Sequence, residues 1–413
     1  MTLDPQPTEE AQPATADAHE SPAEAAHRRR GLLFLGLAVA GVAFTLAIQT
    51  GMNSNFVGQK NQMNLSGPQQ GHLEAFRETC GITALVLLAL LAGFAEPLVG
   101  AAMLLLFAIG LSAYAFVPDF YWLVGASLVW SQGLHVWMPL PNSMALALAE
   151  PGRAGHRLGQ IGAAGAVGAG AGLLAAYALH HWLHVQIRPL FLLAGAASVL
   201  AAAACLGIPR RIKTPGPRFV LRRRYRLYYL LCFLDGWRKQ VFIAFAGYLL
   251  VTKRDTPLET MLLLWMAIQV IGYFASPWVG RLIDRVGERV VLVFYFTCLV
   301  GVFIAYGQVT YAPALYVLYV LDSALFVFAM ALPIYVGRIA PPSERTPTLS
   351  MGVAFNHIAA VAMPLAGALL WGYISYHWVF YVGAAVAAAS IPAALAVPRH
   401  ARAAAARPGP AAT

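Results

Sequence analysis

Residues 209–226 read PRRIKTPGPRFVLRRRYR, with eight basic side chains and no acidic one. On either side the chain turns strongly apolar. A helix needs about 20 mostly apolar residues to cross a hydrocarbon core roughly 30 Å thick; six such runs precede this stretch and six follow it. The segment therefore reads as an extramembrane connection between two halves. It serves as a topology anchor, and its charge also suits anionic lipid head groups.

Working outward, the runs lie near 31–56, 72–95, 98–117, 120–148, 158–181 and 188–208 before the linker, and near 227–251, 257–279, 289–309, 312–337, 348–373 and 377–397 after it. Charged residues make up 11% of the 413 positions and apolar ones 59%, whereas a soluble domain is about a quarter charged. One globular core cannot hide that much apolar surface. Strand-barrel alternation is absent, so helices are the spanning element. The fold class is an all-α polytopic membrane protein of twelve transmembrane helices in two pseudo-symmetric six-helix bundles.

The chain divides into a disordered tail (1–26), a first bundle (27–208), the basic linker (209–226), a second bundle (227–397) and a tail (398–413). The first tail is rich in Ala, Pro and acid and lacks periodicity; it does not read as a secretory signal. With twelve spans both termini share a side, and 21 Lys and Arg residues fall there against four on the other (Lys60, Arg188, Lys253, Arg254). The positive-inside rule makes that side cytoplasmic, and the expected location is a bacterial inner membrane. Cys80, Cys205, Cys232 and Cys298 lie singly in separate apolar runs and read as small apolar residues. Phe120, Tyr121, Trp122, Tyr376, Trp378, Phe380 and Tyr381 cluster where interfacial anchors belong.

The halves echo one another at an offset of 192 residues: Met138, Leu140, Pro141 and Arg153 match Met330, Leu332, Pro333 and Arg345. Such internal symmetry is common in carriers. The loop Gly280-Arg281-Leu282-Ile283-Asp284-Arg285-Val286-Gly287-Glu288-Arg289 resembles the signature loop of the major facilitator superfamily, roughly G-x-L-x-D-R-x-G-R-R. The glycines permit a tight turn, and Asp284, Arg285 and Arg289 can cap helices and bridge neighbours as a conformational gate. In the first half Gly93 and Gly100 keep the spacing, but Pro97 replaces the Asp and the arginines are missing. Span 4 keeps Gln132–Gly133 of an R-x-x-Q-G pattern with Val129 in place of Arg. Span 5 has a ladder at Gly162, Gly165, Gly168, Gly170 and Gly172, with Ala169 where drug–proton antiporters carry proline. The resemblance implies alternating access, with spans 1, 4, 7 and 10 around a central cavity.

Charges at mid-membrane are costly and mark function by default. Span 7 carries Asp235, Arg238, Lys239 and Gln240. Asp235 can pair with Arg238 or Lys239 but hardly with both, which frees one cation for Asp322 of span 10 or for an anionic group on a substrate. Either a substrate site or a structural charge network fits. Gln132, His135 and Asn53 add polar groups to the candidate substrate site, with Gln49, Gln269 and Asn356 as further hydrogen-bonding positions. Glu74 and Glu78 of span 2 lie one turn apart with Arg77 beside them. Two close carboxylates resist joint ionisation, so Glu74, Glu78 and His135 are candidates for proton coupling; a solvated Glu–Arg–Glu face is the plainer alternative. His357 of span 11 can also exchange protons near neutrality. His180, His181 and His184 read as an interfacial loop, and Asn64-Leu65-Ser66 matches a glycosylation sequon.

No Walker loop, metal-ligand cluster or nucleophile–base motif is legible, so neither an enzyme nor a cofactor is expected. The reading is a secondary transporter of a small organic anion or amphipathic metabolite, with protons as a possible coupling ion. Its partners are that solute and the lipid bilayer, with no nucleic acid and no obligatory protein partner; a monomer suffices. A multidrug efflux antiporter is the alternative, weakened by Val129 and Ala169, and a non-transporting receptor on a carrier-like fold is the reading from another class.

Overall fold

The structure is a computed structural model that describes residues 22–150, 152–214 and 221–399. Residues 1–21 and 400–413 of the expected tails, and 215–220 of the linker, lie outside the described residues. Among the described residues the regular secondary structure is helical, apart from one isolated bridge between Ala95 and Lys213.

Twelve rods follow one another. Spans 1 to 3 are Pro22–Gly58, Gly67–Leu90 and Glu96–Ala113; the first begins inside the tail expected at 1–26. Span 4 is Phe120–Trp137 continued by Leu140–Ala147, and spans 5 and 6 are Ala154–His181 and Ile187–Cys205. Span 7 runs Arg226–Gln240, through the π-helical Val241–Ala246, into Gly247–Arg254. Spans 8 and 9 are Leu258–Val286 and Glu288–Gln308. Span 10 is Ala312–Leu325, a 3₁₀ segment Phe326–Met330 and Ala331–Ile339. Span 11 is Pro342–Leu369 with a π-helical end at Leu370–Ile374, and span 12 is Tyr376–Leu395.

Among the described residues, nine of these rods are long and apolar enough to cross a bilayer on composition alone. Spans 2, 4 and 7 are the remainder. They carry Glu74, Arg77 and Glu78; Gln132 and His135; and Asp235, Arg238 and Lys239. What lipid does not tolerate must face protein or water, so composition alone turns these three inward.

Local chemistry sets the ends. Ser66 starts span 2 with a capping box: its hydroxyl accepts from Gln69 N, and Gln69 Oε1 accepts from Ser66 N at 2.9 Å. The hydroxyl of the sequon-like Asn64-Leu65-Ser66 is thereby engaged. Asp119 starts span 4 by accepting from Tyr121 N and Trp122 N at 2.9 and 3.2 Å. The 192-residue echo falls on two helix interruptions, the Met138–Pro139 break of span 4 and the 3₁₀ segment ending at Met330. The sequence repeat therefore records a repeated bend.

Packing is equally symmetric. Spans 1·5, 1·6, 2·4, 3·4 and 3·6 pack together in the first half; 7·11, 7·12, 8·10, 9·10 and 9·12 do so in the second. Each pair maps onto its counterpart by adding six. Spans 1 and 5 approach closely because a Cβ at Gly168 or Gly172 would strike the carbonyl of Ala40 or Phe44; Gly162 and Gly170 of the same ladder face open space. The halves meet through spans 2·11 and 5·8, again a symmetric set, and through span 1 against 7 and 8.

The face bearing the termini is tied within each half. Glu150 receives Arg157 Nε at 2.9 Å and Arg28 Nη2 at 3.0 Å. Those Arg157 hydrogen bonds, helped by Arg28, hold its carboxyl down at about 2. In the second half Arg224, Arg222 and Tyr225 converge on Glu344, and Arg338 meets Glu288 at 2.5 Å. Gly287 turns the chain from span 8 to span 9 at φ +82° and ψ 159°, a conformation essentially reserved for glycine. Asp284 lines a small hollow of about 320 Å³ beside Glu288 and Arg338, while Arg285 is exposed and a Cβ on Gly280 would touch nothing. In the first half, where the loop motif lacks its Asp and Arg, linker backbone joins instead: Gly93 N donates to Thr214 O (3.0 Å), Thr214 N to Phe94 O (2.8 Å) and Glu96 N to Ile212 O (2.9 Å).

Candidate functional site

A cavity of about 600 Å³ lies between the halves. Spans 1, 4, 7 and 10 line it, as the resemblance implied, and so do spans 2 and 11 with Trp265 of span 8. Tyr228 and Leu349, close to the first turns of spans 7 and 11, form part of its wall. The cavity thus reaches toward the face that carries the termini, where Gly159 of span 5 and Gly280 of span 8 look onto open space. The opposite face is closed by contacts between the halves. Asn55 Nδ2 donates to Thr256 O at 2.9 Å, Tyr248 OH to Leu65 O at 2.5 Å, and His180 Nε2 stands 3.6 Å from Glu259.

At the floor of the cavity, near the midpoints of their spans, Glu78, His135 and His357 come together. Glu78 Oε2 is 3.2 Å from His357 Nδ1 across the boundary between halves. The rings of His135 and His357 meet edge to face at 5.1 Å. Ser131 O lies 2.8 Å from His135 Nδ1 and fixes that ring. Gly81 makes the room: a Cβ there would collide with the His357 imidazole. Glu74, Arg77 and Glu78 are all buried, which corrects the alternative of a solvated Glu–Arg–Glu face. Arg77 pairs with Glu74 and stacks on Trp130, 5.3 Å from its centroid. Gln70 Nε2 donates to Glu74 at 3.2 Å and crosses to Ala244 O of span 7 at 3.0 Å. Glu74 is satisfied within this group, whereas Glu78 faces the cavity.

Span 7 separates its two adjacent cations. Lys239 lines the cavity and donates to Asn356 Oδ1 at 2.7 Å; Asn356 Nδ2 donates in turn to Cys232 O at 3.2 Å. Arg238 points the other way, into the second half. It is 0% exposed, 3.6 Å from Asp322, and lies over the rings of Phe326 and Tyr295 at 3.7 and 5.3 Å. Asp235 borders the cavity and accepts from Tyr295 OH at 2.8 Å. Immediately beyond Gln240 the helix widens into its π segment, a feature that concentrates at functional positions.

The sequence candidates therefore fall into three groups. Lys239, Asp235, His135, Asn53 and Glu78 line the cavity, with Asn53 accepting from Gln49 at 3.1 Å. Arg238 and Asp322 form an internal pair behind it. Gln132 looks away, accepting from Thr83 at 2.5 Å, and Glu74 supports Arg77. Sequence reasoning did not select Trp130, Trp265 or Phe242 for the wall, nor His357 for the Glu78 contact; the signal available for His357 was its neighbour Asn356 in a helix that is otherwise apolar at that depth.

Residues 229–412 match the family model described as Major Facilitator Superfamily. No curated protein matches the sequence. Among solved structures, a point mutant of the nucleoside transporter NupG superposes with a TM-score of 0.74 at 13% identity, covering 89% of this chain and 99% of that one. The D-xylose–proton symporter gives 0.67 at 15% identity, covering 89% and 98%. A bacterial homologue of the human lysosomal transporter Spinster, inward-facing and occupied, gives 0.65 at 14% identity, covering 89% and 95%.

Proposed function

We propose that the chain is a carrier of the major facilitator superfamily, whose family model matches residues 229–412 and whose fold it shares over 89% of its length, and that it moves a small amphipathic solute by alternating access of its two halves. The observation that carries the proposal is the cavity of about 600 Å³. It is sealed on one face by contacts between the halves and reaches toward the other, with its polar groups at mid-depth, where carriers place their sites.

Lys239 is the recognition group. Its ammonium is anchored by the neutral Asn356, which leaves its charge for an anionic or strongly accepting head on the solute. Trp130, Phe242, Trp265 and Leu332 give the apolar body of such a molecule its surface. Glu78 and His357 supply a proton site that joins the halves, so protonation and rocking are linked; one structurally similar protein is a proton symporter. The concentration of basic residues on the termini face supports a cytoplasmic orientation for it, and with the cavity reaching toward that face this reading makes the structure an inward-open state. The apolar wall also favours a second reading, export of lipophilic cations balanced by Glu78 and Asp235.

A thermal-shift panel of metabolites and lipophilic cations at two pH values, followed by flux in proteoliposomes, tests the proposal. A ligand of the folded state raises the melting temperature. For an anionic ligand, Lys239→Gln should raise KM about 10–100-fold, the worth of a charge-assisted hydrogen bond. Unchanged KM removes Lys239 from the site, and stabilisation by cations alone selects the second reading.

A further inference from the structure

We propose that Glu78, His135 and His357 form a binding site for a divalent transition ion of the Zn²⁺ class, placed on the boundary between the halves. The three side chains each offer one ligand atom, and these atoms lie within 4.8 Å of one another. Tetrahedral Zn²⁺ with bonds of about 2.0–2.2 Å holds its donors roughly 3.3–3.5 Å apart. Glu78 Oε2 and His357 Nδ1 already stand 3.2 Å apart, so closing the site requires a movement of His135 on the order of 1 Å.

His135 is prepared for ligation. Its Nδ1 lies 2.8 Å from the carbonyl of Ser131. A carbonyl only accepts, so Nδ1 carries the proton and Nε2 keeps a bare lone pair. An outer carbonyl that fixes tautomer and ring orientation is the usual support of a metal-binding imidazole. Two imidazoles and a carboxylate select Zn²⁺, Co²⁺ or Ni²⁺ over Mg²⁺ and Ca²⁺, which prefer all-oxygen shells. Three protein donors leave a fourth position, and the cavity supplies water or solute to it.

Charge permits the ion. Glu74, Glu78 and Asp235 outweigh Arg77 and Lys239 by one negative charge around the cavity floor, with imidazoles neutral. Arg77 is hydrogen-bonded by Glu74 and Lys239 by Asn356, so both act on Glu78 through charge alone. Glu78 and His135 belong to one half and His357 to the other. An ion held by all three ties the halves together at mid-depth and favours the state in which those donors meet.

The test uses full-length protein in lipid nanodiscs, stripped with chelator and titrated with Zn²⁺ or Co²⁺. One equivalent should bind, and the Co²⁺ adduct should show the visible bands of a low-coordinate site. Each of Glu78→Gln, His135→Gln and His357→Gln should weaken binding by more than the ~10–100-fold that outer-shell partners alone are worth. Replacing His180, His181 and His184 together by Gln should leave that equivalent in place. X-ray absorption on the wild type needs no variant and should report nitrogen and oxygen donors only. Absence of stoichiometric binding, survival of binding in any of the three ligand variants, loss in the surface triple variant, or a sulfur donor each overturns the assignment. None of these outcomes bears on solute transport, which is measured with metal removed.

Discussion

Removing one member of the Arg238–Asp322 pair separates a structural role from a transport role. Both side chains are 0% exposed and 3.6 Å apart. At an effective dielectric near 20 their attraction is about 4–5 kcal/mol, in line with the ~3–5 kcal/mol lost when a buried pair is broken. The folding equilibrium then shifts by roughly two to four orders of magnitude. The two halves of the pair are not equivalent. Arg238→Met leaves a carboxyl that can fold in its neutral form, whereas Asp322→Leu leaves a guanidinium that cannot shed its charge. Asp322→Leu is therefore the harsher change. The double variant Arg238→Met/Asp322→Leu leaves neither member of the pair unpaired and regains most of the loss. Monodisperse yield by gel filtration and melting temperature in detergent read the order: wild type and double variant high, Arg238→Met lower, Asp322→Leu lowest. Solute flux in the double variant should persist. Arg238→Met protein that accumulates and melts like wild type yet transports nothing would rule out a structural role for the pair and return Arg238 to the solute site.

Three further outcomes follow from the geometry. The Glu150 carboxyl sits at about 2, held by Arg157 and Arg28. Its contribution is therefore complete above the ordinary carboxylate range and declines as pH falls from about 4.5 toward 2; the melting-temperature difference between wild type and Glu150→Gln should shrink over that window and stay constant above it. Gly287→Ala must place a side chain at φ +82°, a strain of about 1–3 kcal/mol, while Gly280→Ala meets open space and should leave the melting temperature unchanged. Gly172→Val drives a side chain into the backbone of Phe44 and should cost about 1–3 kcal/mol, seen as a lower melting temperature and a smaller folded fraction.

Much of the architecture was legible because a bilayer is an unforgiving solvent. Runs of about 20 apolar residues must cross it, and the echo of Met138 and Pro141 in Met330 and Pro333 marks the same bend in each half. The charges of spans 2 and 7 were legible for the same reason. Their directions were not. Adjacent residues on a helix differ by about 100°, so Arg238 and Lys239 face opposite environments, and only packing decides which enters the cavity. Here Gly236 sits against the backbone of Asn356, which brings Lys239 to Asn356 and turns Arg238 toward Asp322. The Glu78–His357 contact joins residues 279 positions apart, and no local period encodes it. Gln132 belongs to a family pattern, yet its amide oxygen accepts from Thr83 of span 2 and it does not line the cavity.

In the proposed cycle the two halves rock about a mid-depth site, closing one face as the other opens. Double electron–electron resonance on a cysteine-free background reads this directly, with one label pair across each face: Lys60 with Lys253, and His156 with Arg281, all exposed positions. Two populations are expected at each pair, changing in opposite senses when pH or a bound ligand is altered, with the short Lys60–Lys253 distance accompanying the long His156–Arg281 one. A single fixed distance at both pairs under all conditions would contradict it.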